Sequence, residues 1–265
     1  MSKPLTREPT KEERLRGVAS TYLMPVLSLA ALAALWEAFA IFFKIPTWLL
    51  PSPSAIISEF VRWHPLLLSH TYYTFYETLL GFVFAIVVAV PISIAITYSK
   101  FLQNTIYPVV LVLQSVPKVA IAPIVLIWFG YGLIPKVIIA FLVAFFPIIV
   151  DTSTGMITVQ SELLDLVRLV KATDVQIFLK IRLPHSLPYF FSSLKTAITL
   201  SVVGAVIAEF VGSDVGLGYL ILSASPQLQT ALAFACIFIL AFMGIGLFAA
   251  VAIAEKLLIP WAFSE

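Results

Sequence analysis

Long apolar stretches alternate with shorter polar ones along this chain. Six of the apolar stretches approach or exceed the roughly 20 residues that an α-helix needs to cross a bilayer. They span residues 22–43, 72–98, 106–129, 135–157, 187–211 and 231–258. These stretches are continuous and do not show the alternation of a membrane β-barrel strand. The pattern therefore predicts an all-α integral membrane protein with six transmembrane helices.

Composition strengthens this prediction. Of the 265 residues, 61% are hydrophobic and 11% are charged, whereas a soluble domain is about 45–50% apolar and about 25% charged. The single cysteine, Cys236, lies in an apolar stretch and cannot form an internal disulfide. His64, His70 and His185 show no metal-ligand spacing. The sequence thus predicts no metal site.

The positions of lysine and arginine predict an orientation. If the N-terminus is cytoplasmic, only Lys44, Arg62 and Lys136 of the loop cations fall outside. The cations inside are then Lys3, Arg7, Lys11, Arg14, Arg16, Lys100, Arg168, Lys171, Lys180, Arg182 and Lys256. Cytoplasmic loops carry an excess of such residues. We expect residues 1–21 to be a cytoplasmic tail without a cleaved signal peptide, residues 22–258 to be one transmembrane domain, and residues 259–265 to be a cytoplasmic C-terminal tail.

The long outer loop contains a helix signal. In "LPSPSAIISEF", Ser52 can accept a hydrogen bond at a helix N-terminus, and Pro53 suits the first helical position. Apolar residues then fall on one helix face. They are Ile56, Ile57, Phe60 and Val61. This predicts an external helix over about 51–66 at the membrane interface, with a structureless loop as the alternative.

The central loop, about 158–186, is unusually charged for this chain. Ser161 is expected to cap a helix that reaches about Val170, and a second helix is expected from Thr173 or Asp174 until Pro184 stops it. One apolar stripe follows the helical period in the first helix. It contains Leu163, Leu166, Val167 and Val170. The stripe either covers the chain's own helices or docks in a partner's groove.

Ionisable residues inside apolar stretches are costly and suggest function. Glu77 and Lys195 lie near predicted span ends and are expected to snorkel to the interface. Glu37, beside Trp36, fits the outer interface. Lys118 follows Gln114, Ser115 and Pro117, so a broken helix there could expose polar backbone to a cavity. Lys118 then either lines a translocation pathway or pairs with Glu209.

The central loop resembles the coupling loop in the permease subunit of ABC importers, which follows roughly E-A-A, three residues, G, nine residues and I-x-L-P. Asp165, Leu166 and Val167 stand at the first three positions, and Lys171 stands at the glycine. The end of the pattern is matched by Ile181, Leu183 and Pro184. If the glycine position is left-handed, a lysine there costs roughly 1–2 kcal/mol, partly offset by the helix dipole.

Four further segments, in the same order, resemble one branch of these permeases. They are "LPSPSAI" at 50, "QSVPKVAIAPIVLIWFGYG" at 114, "KIRLPHSLPYFFSSLK" at 180 and "AEFVGSDVGLGYLI" at 208. The branch transports nitrate, taurine, alkanesulfonates, bicarbonate and pyrimidine vitamin precursors. The resemblance covers about residue 50 to the C-terminus.

The resemblance implies a type I ABC importer permease fold in the bacterial inner membrane. A second permease copy, giving a homodimer, two cytoplasmic ATPases that bind ATP and Mg, and a periplasmic or lipid-anchored binding protein are the implied partners. The cargo would be a small anionic or polar organic molecule. The small residues of the fifth span, Ser201 among them, are assigned to the pathway and the subunit contact.

The implied site residues form two groups. Contact with the ATPase is assigned to Asp165, Leu166, Val167, Arg168, Val170, Lys171, Ala172, Asp174, Ile181, Leu183 and Pro184. The translocation pathway is assigned to Gln114, Ser115, Lys118, Ser201 and Glu209. The chain lacks the phosphate loop of nucleotide-binding proteins, so no cofactor, catalytic residue or nucleic-acid partner is predicted. We interpret "GSDVGLG" at 212 as a flexible external turn.

Two other classes of protein remain as alternatives. A secondary carrier driven by an ion gradient could use Glu77 and Glu209 as coupling groups, although the chain shows no long internal repeat of the kind that many carriers have. A membrane-embedded enzyme would need a cluster of His, Asp and Ser, and the sequence shows none.

Overall fold

The computed structural model describes the backbone of residues 11–263 and the side chains of residues 23–262, so the first ten residues of the predicted tail lie outside it. The described residues contain helices and no strand, which confirms the all-α fold class. The α-helices are α1 Lys11–Phe42, α2 Pro53–Arg62, α3 His64–Tyr98, α4 Lys100–Gln114, α5 Lys118–Phe129, α6 Leu133–Ile157, α7 Ser161–Leu169, α8 Asp174–Ile177, α9 Leu183–Gly212, α10 Leu217–Ala224 and α11 Thr230–Leu258.

Contacts between the long helices fix their directions. α3 and α6 run parallel. Glu77 contacts Lys136 in the first half of each helix, and Thr97 contacts Met156 near the end of each helix. α9 runs antiparallel to α3, since Glu209 near its end contacts Thr74 near the start of α3. The bundle therefore has an α2 end, with α2 and α10, and an α7 end, with α7 and α8. Because α3 and α6 are parallel, α4 and α5 together must carry the chain across between them.

The third crossing is broken. Five helical segments are long and apolar enough to span alone, and α4 with α5 makes a sixth crossing bent by 98°. The span predicted over 106–129 therefore begins earlier, at Lys100, and consists of two helices rather than one. Pro117 has an extended backbone (φ −64°, ψ 104°) at the break, and a proline disfavours helical geometry in the residue before it. The expected break beside Lys118 is present.

Small residues bring α3, α6 and α9 together in the middle of the bundle. A Cβ atom added to Gly81 would lie 2.5 Å from the Cβ of Ala140, and one added to Gly204 would lie 2.7 Å from the Cα of Ala140. Ser193, Ala197, Ser201, Gly204, Ala205 and Ala208 of α9 are buried in the single chain. Most small residues of the fifth span thus serve packing within the chain, where close approach adds van der Waals contact. Ser192 is exposed, and the assignment of this span to the subunit contact stays a prediction.

A helix, α2, is present in the outer loop, so the structureless alternative is wrong. The hydroxyl of Ser52 accepts a hydrogen bond from the N–H of Ala55 (3.3 Å). The carboxylate of Glu37 on α1 accepts from the N–H (3.0 Å) and the hydroxyl (2.7 Å) of Ser54 in the first turn of α2. Glu37 therefore ties the end of α1 to the start of α2.

Capping in the central loop differs partly from the sequence prediction. Gln160, not Ser161, occupies the N-cap of α7, and the Ser161 hydroxyl instead lies 3.3 Å from the Glu162 carboxylate. At the other end Lys171 has the expected left-handed backbone (φ 59°). The N–H of Ala172 donates to the carbonyl of Val167 (3.1 Å), which completes a Schellman turn.

α8 begins with a capping box and runs on into α9. The side chains of Thr173 and Gln176 each accept a backbone N–H from the other residue (3.3 and 2.9 Å). The expectation that Pro184 stops this helix is wrong. A π-turn over Phe178–Arg182 precedes α9, and the N–H of Leu183 bonds to the carbonyl of Phe178, five residues back. This wider turn accommodates a proline that would crowd the carbonyl four residues back in a regular α-helix.

Candidate functional site

The apolar side chains of α7 divide between two faces. Leu164 and Val167 are half-buried. Leu163, Leu166 and Val170 are 41%, 59% and 75% exposed. Packing against the chain's own helices therefore accounts for only part of the stripe. We call the rest of the stripe, Leu163, Leu166 and Val170, together with the exposed Leu169, the coupling surface.

The other predicted coupling residues follow two patterns. Asp165, Arg168, Lys171 and Asp174 are exposed on or beside α7, and Ala172 is half-buried. Ile181, Leu183 and Pro184 lie instead in the π-turn and the first turn of α9, where all are half-buried.

An apolar recess opens where the start of α8 meets the end of α3. It has a volume of about 500 Å³ and is lined by Tyr98, Asp174, Val175, Phe178 and Leu179. The guanidinium of Arg182 lies 5.5 Å from the Tyr98 ring centroid. Since α8 follows α7 along the chain, the recess and the coupling surface both lie at the α7 end.

The break between α4 and α5 carries the polar residues predicted for the pathway. Gln114 and Ser115 are exposed, and Lys118 is half-exposed. The amino group of Lys118 donates to the carbonyl of Gln114 and lies 5.1 Å from the ring centroid of Phe146 on α6. The apolar residues of α4 and α5 around the break are also largely exposed. They include Val109, Val112, Leu113, Val116 and Val119.

Glu209 lies elsewhere, so the alternative in which it pairs with Lys118 is wrong. Its side chain is buried between α3, α9 and α10, where one oxygen accepts from the hydroxyl of Thr74 (2.6 Å) and the other from the N–H of Gly218 (2.6 Å). The Thr74 hydroxyl in turn accepts from the N–H of Leu217 (2.9 Å). We call Thr74, Glu209 and residues 216–218 the Glu209 clamp.

The clamp explains two of the three glycines of "GSDVGLG", Gly216 and Gly218. Gly216 has φ 105°, and a Cβ atom there would overlap the Glu209 carboxylate. A Cβ at Gly218 would lie 2.8 Å from Glu209 Oε2. The N–H of Gly216 also donates to Nδ1 of buried His70 (2.9 Å). The turn is therefore held by hydrogen bonds at close range, and its interpretation as a flexible turn is wrong.

Ser201 is also away from the break. It is buried, and its hydroxyl donates to the carbonyl of Thr78 (2.9 Å) on α3. The five predicted pathway residues thus fall in two places. Gln114, Ser115 and Lys118 meet at the break, while Ser201 and Glu209 hold α9 against its neighbours.

Two ion pairs replace the predicted snorkelling. Lys136 Nζ lies 2.8 Å from Glu77 Oε1, with 4% and 2% of the side chains exposed. Lys195 Nζ lies 2.7 Å from Glu255 Oε2, with 24% and 9% exposed. Lys136, counted above as an outer-loop cation, is thus inside α6. The preceding residues 130–135, "GYGLIP", contain two glycines and a proline and indicate a turn, so from the sequence alone Lys136 resembles a loop residue.

One further polar residue was missed. Asp151 lies in α6 and is half-exposed. An acidic residue inside the apolar stretch 135–157 was the available signal.

The sequence profile of the family described as "binding-protein-dependent transport system inner membrane component" matches residues 81–262. This chain belongs to that family. Its relatives include the formylaminopyrimidine transport permease protein ThiX of Halalkalibacterium halodurans, 33% identical over 240 residues and covering 90% of this chain and 96% of the relative. The riboflavin transport system permease protein RibX of Chloroflexus aurantiacus is 31% identical over 265 residues, 98% of each chain.

The fold agrees with this membership. A chain of the MetNI methionine ABC transporter in an inward-facing conformation aligns with a TM-score of 0.57 at 20% identity, covering 72% of this chain and 98% of that one. The resemblance to ABC importer permeases and the type I fold are therefore confirmed. The chain is a multi-pass ABC importer permease, which decides against the ion-gradient-driven carrier and makes it a transporter subunit.

Proposed function

We propose that two copies of this permease form the pathway of a bacterial importer, driven by two ATPase subunits and supplied by a binding protein outside. The cargo is a small polar or anionic organic molecule. Relatives named for formylaminopyrimidine and riboflavin support an organic cargo, and others are named for aliphatic sulfonates and taurine. ATP and Mg bind to the ATPase subunits.

The observation that carries this proposal is the exposed coupling surface. Leu166 and Val170 present apolar side chains on a loop helix in which no residue is buried. The Schellman turn at Lys171 and the capping box at Thr173 fix the direction in which the chain leaves α7. A short helix that is already ordered and apolar on its free face suits insertion into a partner's groove, because little conformational entropy is lost on binding.

The charges of the chain support a cytoplasmic α7 end. Lys100, Lys180 and Lys256 lie there in addition to α7's own cations, and an excess of cations marks the cytoplasmic side. Lys136 no longer counts as an outer cation, since it is buried against Glu77. On this orientation both chain termini face the cytoplasm, and the binding protein docks at the α2 end.

The docking proposal is tested with Leu166→Asp. We expect the permease to insert and melt normally, since this side chain is 59% exposed, but to lose the ATPase in co-purification. Leu228→Asp is the matched control, because Leu228 is 62% exposed at the opposite end of the bundle. Retention of the ATPase by Leu166→Asp at the level of Leu228→Asp would overturn the proposal.

The orientation has a separate test. Ile57 on α2 is 63% exposed and Cys236 is fully buried. In a Cys236→Ala background, Ile57→Cys should react with a membrane-impermeant thiol reagent in spheroplasts, and Val175→Cys on α8 should react only after lysis. The reverse labelling pattern would invert the orientation.

A further inference from the structure

α6 carries an acidic side chain, Asp151, that has no side-chain partner within the described part of the chain. Asp151 is half-exposed, within a helix long and apolar enough to cross a membrane. Among the side chains of residues 23–262, none donates a hydrogen bond to its carboxylate or forms an ion pair with it. Glu77, Glu209 and Glu255, the other acidic residues that lie within the bundle, all have partners.

Asp151 lies on the face of α6 that borders α4. Residues three and four apart share a helix face, so Asp151 is beside Pro147 and Thr154, both also half-exposed. The hydroxyl of Thr154 lies 3.2 Å from that of Tyr107 on α4. The remaining faces of this half of α6 pack mainly against α3 and α9.

Lys118 on α5 also contacts α6. Its amino group lies over Phe146, five residues before Asp151, which is about one and a half turns along the helix and about 140° around its axis. An unpaired carboxylate in contact with lipid is strongly disfavoured. Asp151 on α6 and Lys118 on the neighbouring α5 are both half-exposed, so we expect both side chains to contact water.

We propose that Asp151 lines the translocation pathway with Lys118 and selects the cargo by charge. The inference rests on the proposed function and narrows it. A carboxylate in the passage repels simple anions and accepts hydrogen bonds, while Lys118 donates them. The cargo class is therefore a polar organic molecule that bears N–H groups together with acceptors, such as an amino-substituted nitrogen heterocycle, rather than a simple anion.

The test measures charge selectivity in the passage without knowledge of the cargo. In the assembled importer in membrane vesicles, with Cys236→Ala, Thr154→Cys is treated with a cationic (trimethylammonium-ethyl) and an anionic (sulfonatoethyl) methanethiosulfonate. The ratio of the cationic to the anionic reaction rate should fall about fivefold with Asp151→Asn, because a unit charge about 8 Å from the reagent in water changes the two rates by about twofold each in opposite directions. The ratio should be retained with Asp151→Glu. Lys118→Gln should raise the ratio by a smaller factor.

Two results would overturn the inference. If Thr154→Cys reacts no faster than Ile253→Cys, an exposed apolar position on α11, lipid or the second copy covers this face. If Asp151→Asn leaves the ratio unchanged, the carboxylate does not face the passage. ATPase co-purification is scored on the same samples, so a failure of the docking proposal is seen separately from a failure at Asp151.

Discussion

The buried polar residues toward the α2 end and the polar residues at the α4–α5 break have opposite environments. Glu77 with Lys136, and Glu209 with Thr74 and Gly218, are enclosed by helices and bonded to protein groups. Lys118 has a backbone carbonyl and the face of one aromatic ring, and Asp151 has no side-chain partner among residues 23–262. Glu77, Glu209 and Lys118 looked alike in the sequence, as charges in apolar stretches. The difference separates polar residues that hold the fold from those that are free to meet water, cargo or a partner.

The largest effect is expected from breaking the Glu77–Lys136 pair. Glu77→Leu leaves the Lys136 ammonium buried without a counter-ion, which costs about 3–5 kcal/mol of unfolding free energy. The double variant with Lys136→Leu should recover most of that loss, because two apolar side chains replace the pair. The measurement is denaturant unfolding of the purified chain in detergent.

The Lys195–Glu255 ion pair, which is more exposed than Glu77–Lys136, is the matched control. Glu255→Leu should cost less than Glu77→Leu, because 24% of the Lys195 side chain is exposed and its charge can be hydrated. A double Glu77→Leu, Lys136→Leu variant no more stable than Glu77→Leu alone would show that the two residues act independently.

A smaller effect is expected in the Glu209 clamp. Gly216→Ala forces a methyl group toward the Glu209 carboxylate at a backbone φ of 105°, and we expect a loss of about 2–3 kcal/mol. Gly244 lies in α11 with nothing within 4 Å of an added Cβ, so Gly244→Ala should be neutral or stabilise by about 0.5–1 kcal/mol. Both are measured by the same unfolding experiment. Equal stability of the two alanine variants would mean that the turn shifts to accommodate the added methyl group and that the hydrogen bonds to Glu209 do not hold it in place.

The smallest effect is expected at the end of α7. Lys171→Gly relieves a left-handed non-glycine residue (φ 59°) and should slow amide exchange in α7 by an amount that corresponds to about 1 kcal/mol. Lys171→Ala removes the charge but retains the backbone strain, and so serves as the control. If both variants change exchange equally, the lysine side chain rather than its backbone is responsible.

The structural features that were predicted correctly from the sequence are those that depend on residues close together along the chain. The Ser52 cap and the break after Gln114 each follow from a few adjacent residues. The left-handed Lys171 was expected from the resemblance of this loop to the coupling loop of ABC importer permeases. The Glu77–Lys136 pair joins residues 59 positions apart, and Glu209 bonds to a backbone N–H, which no side-chain pattern reveals. Pro184 was expected to end a helix because the sequence does not show the π-turn that accommodates it. Leu166 and Val167 are adjacent in one stripe, and only packing shows which of them is exposed.

The most direct test of the separation between paired and free charges compares two lysines. Lys118→Met and Lys136→Met are unfolded side by side in the same detergent. We expect Lys118→Met to stay within about 0.5 kcal/mol of the unmodified chain, as for a site without a structural partner, and Lys136→Met to lose about 3–5 kcal/mol because Glu77 is left buried and unpaired. Equal destabilisation by the two variants would contradict the account, since Lys118 would then hold the fold as Lys136 does.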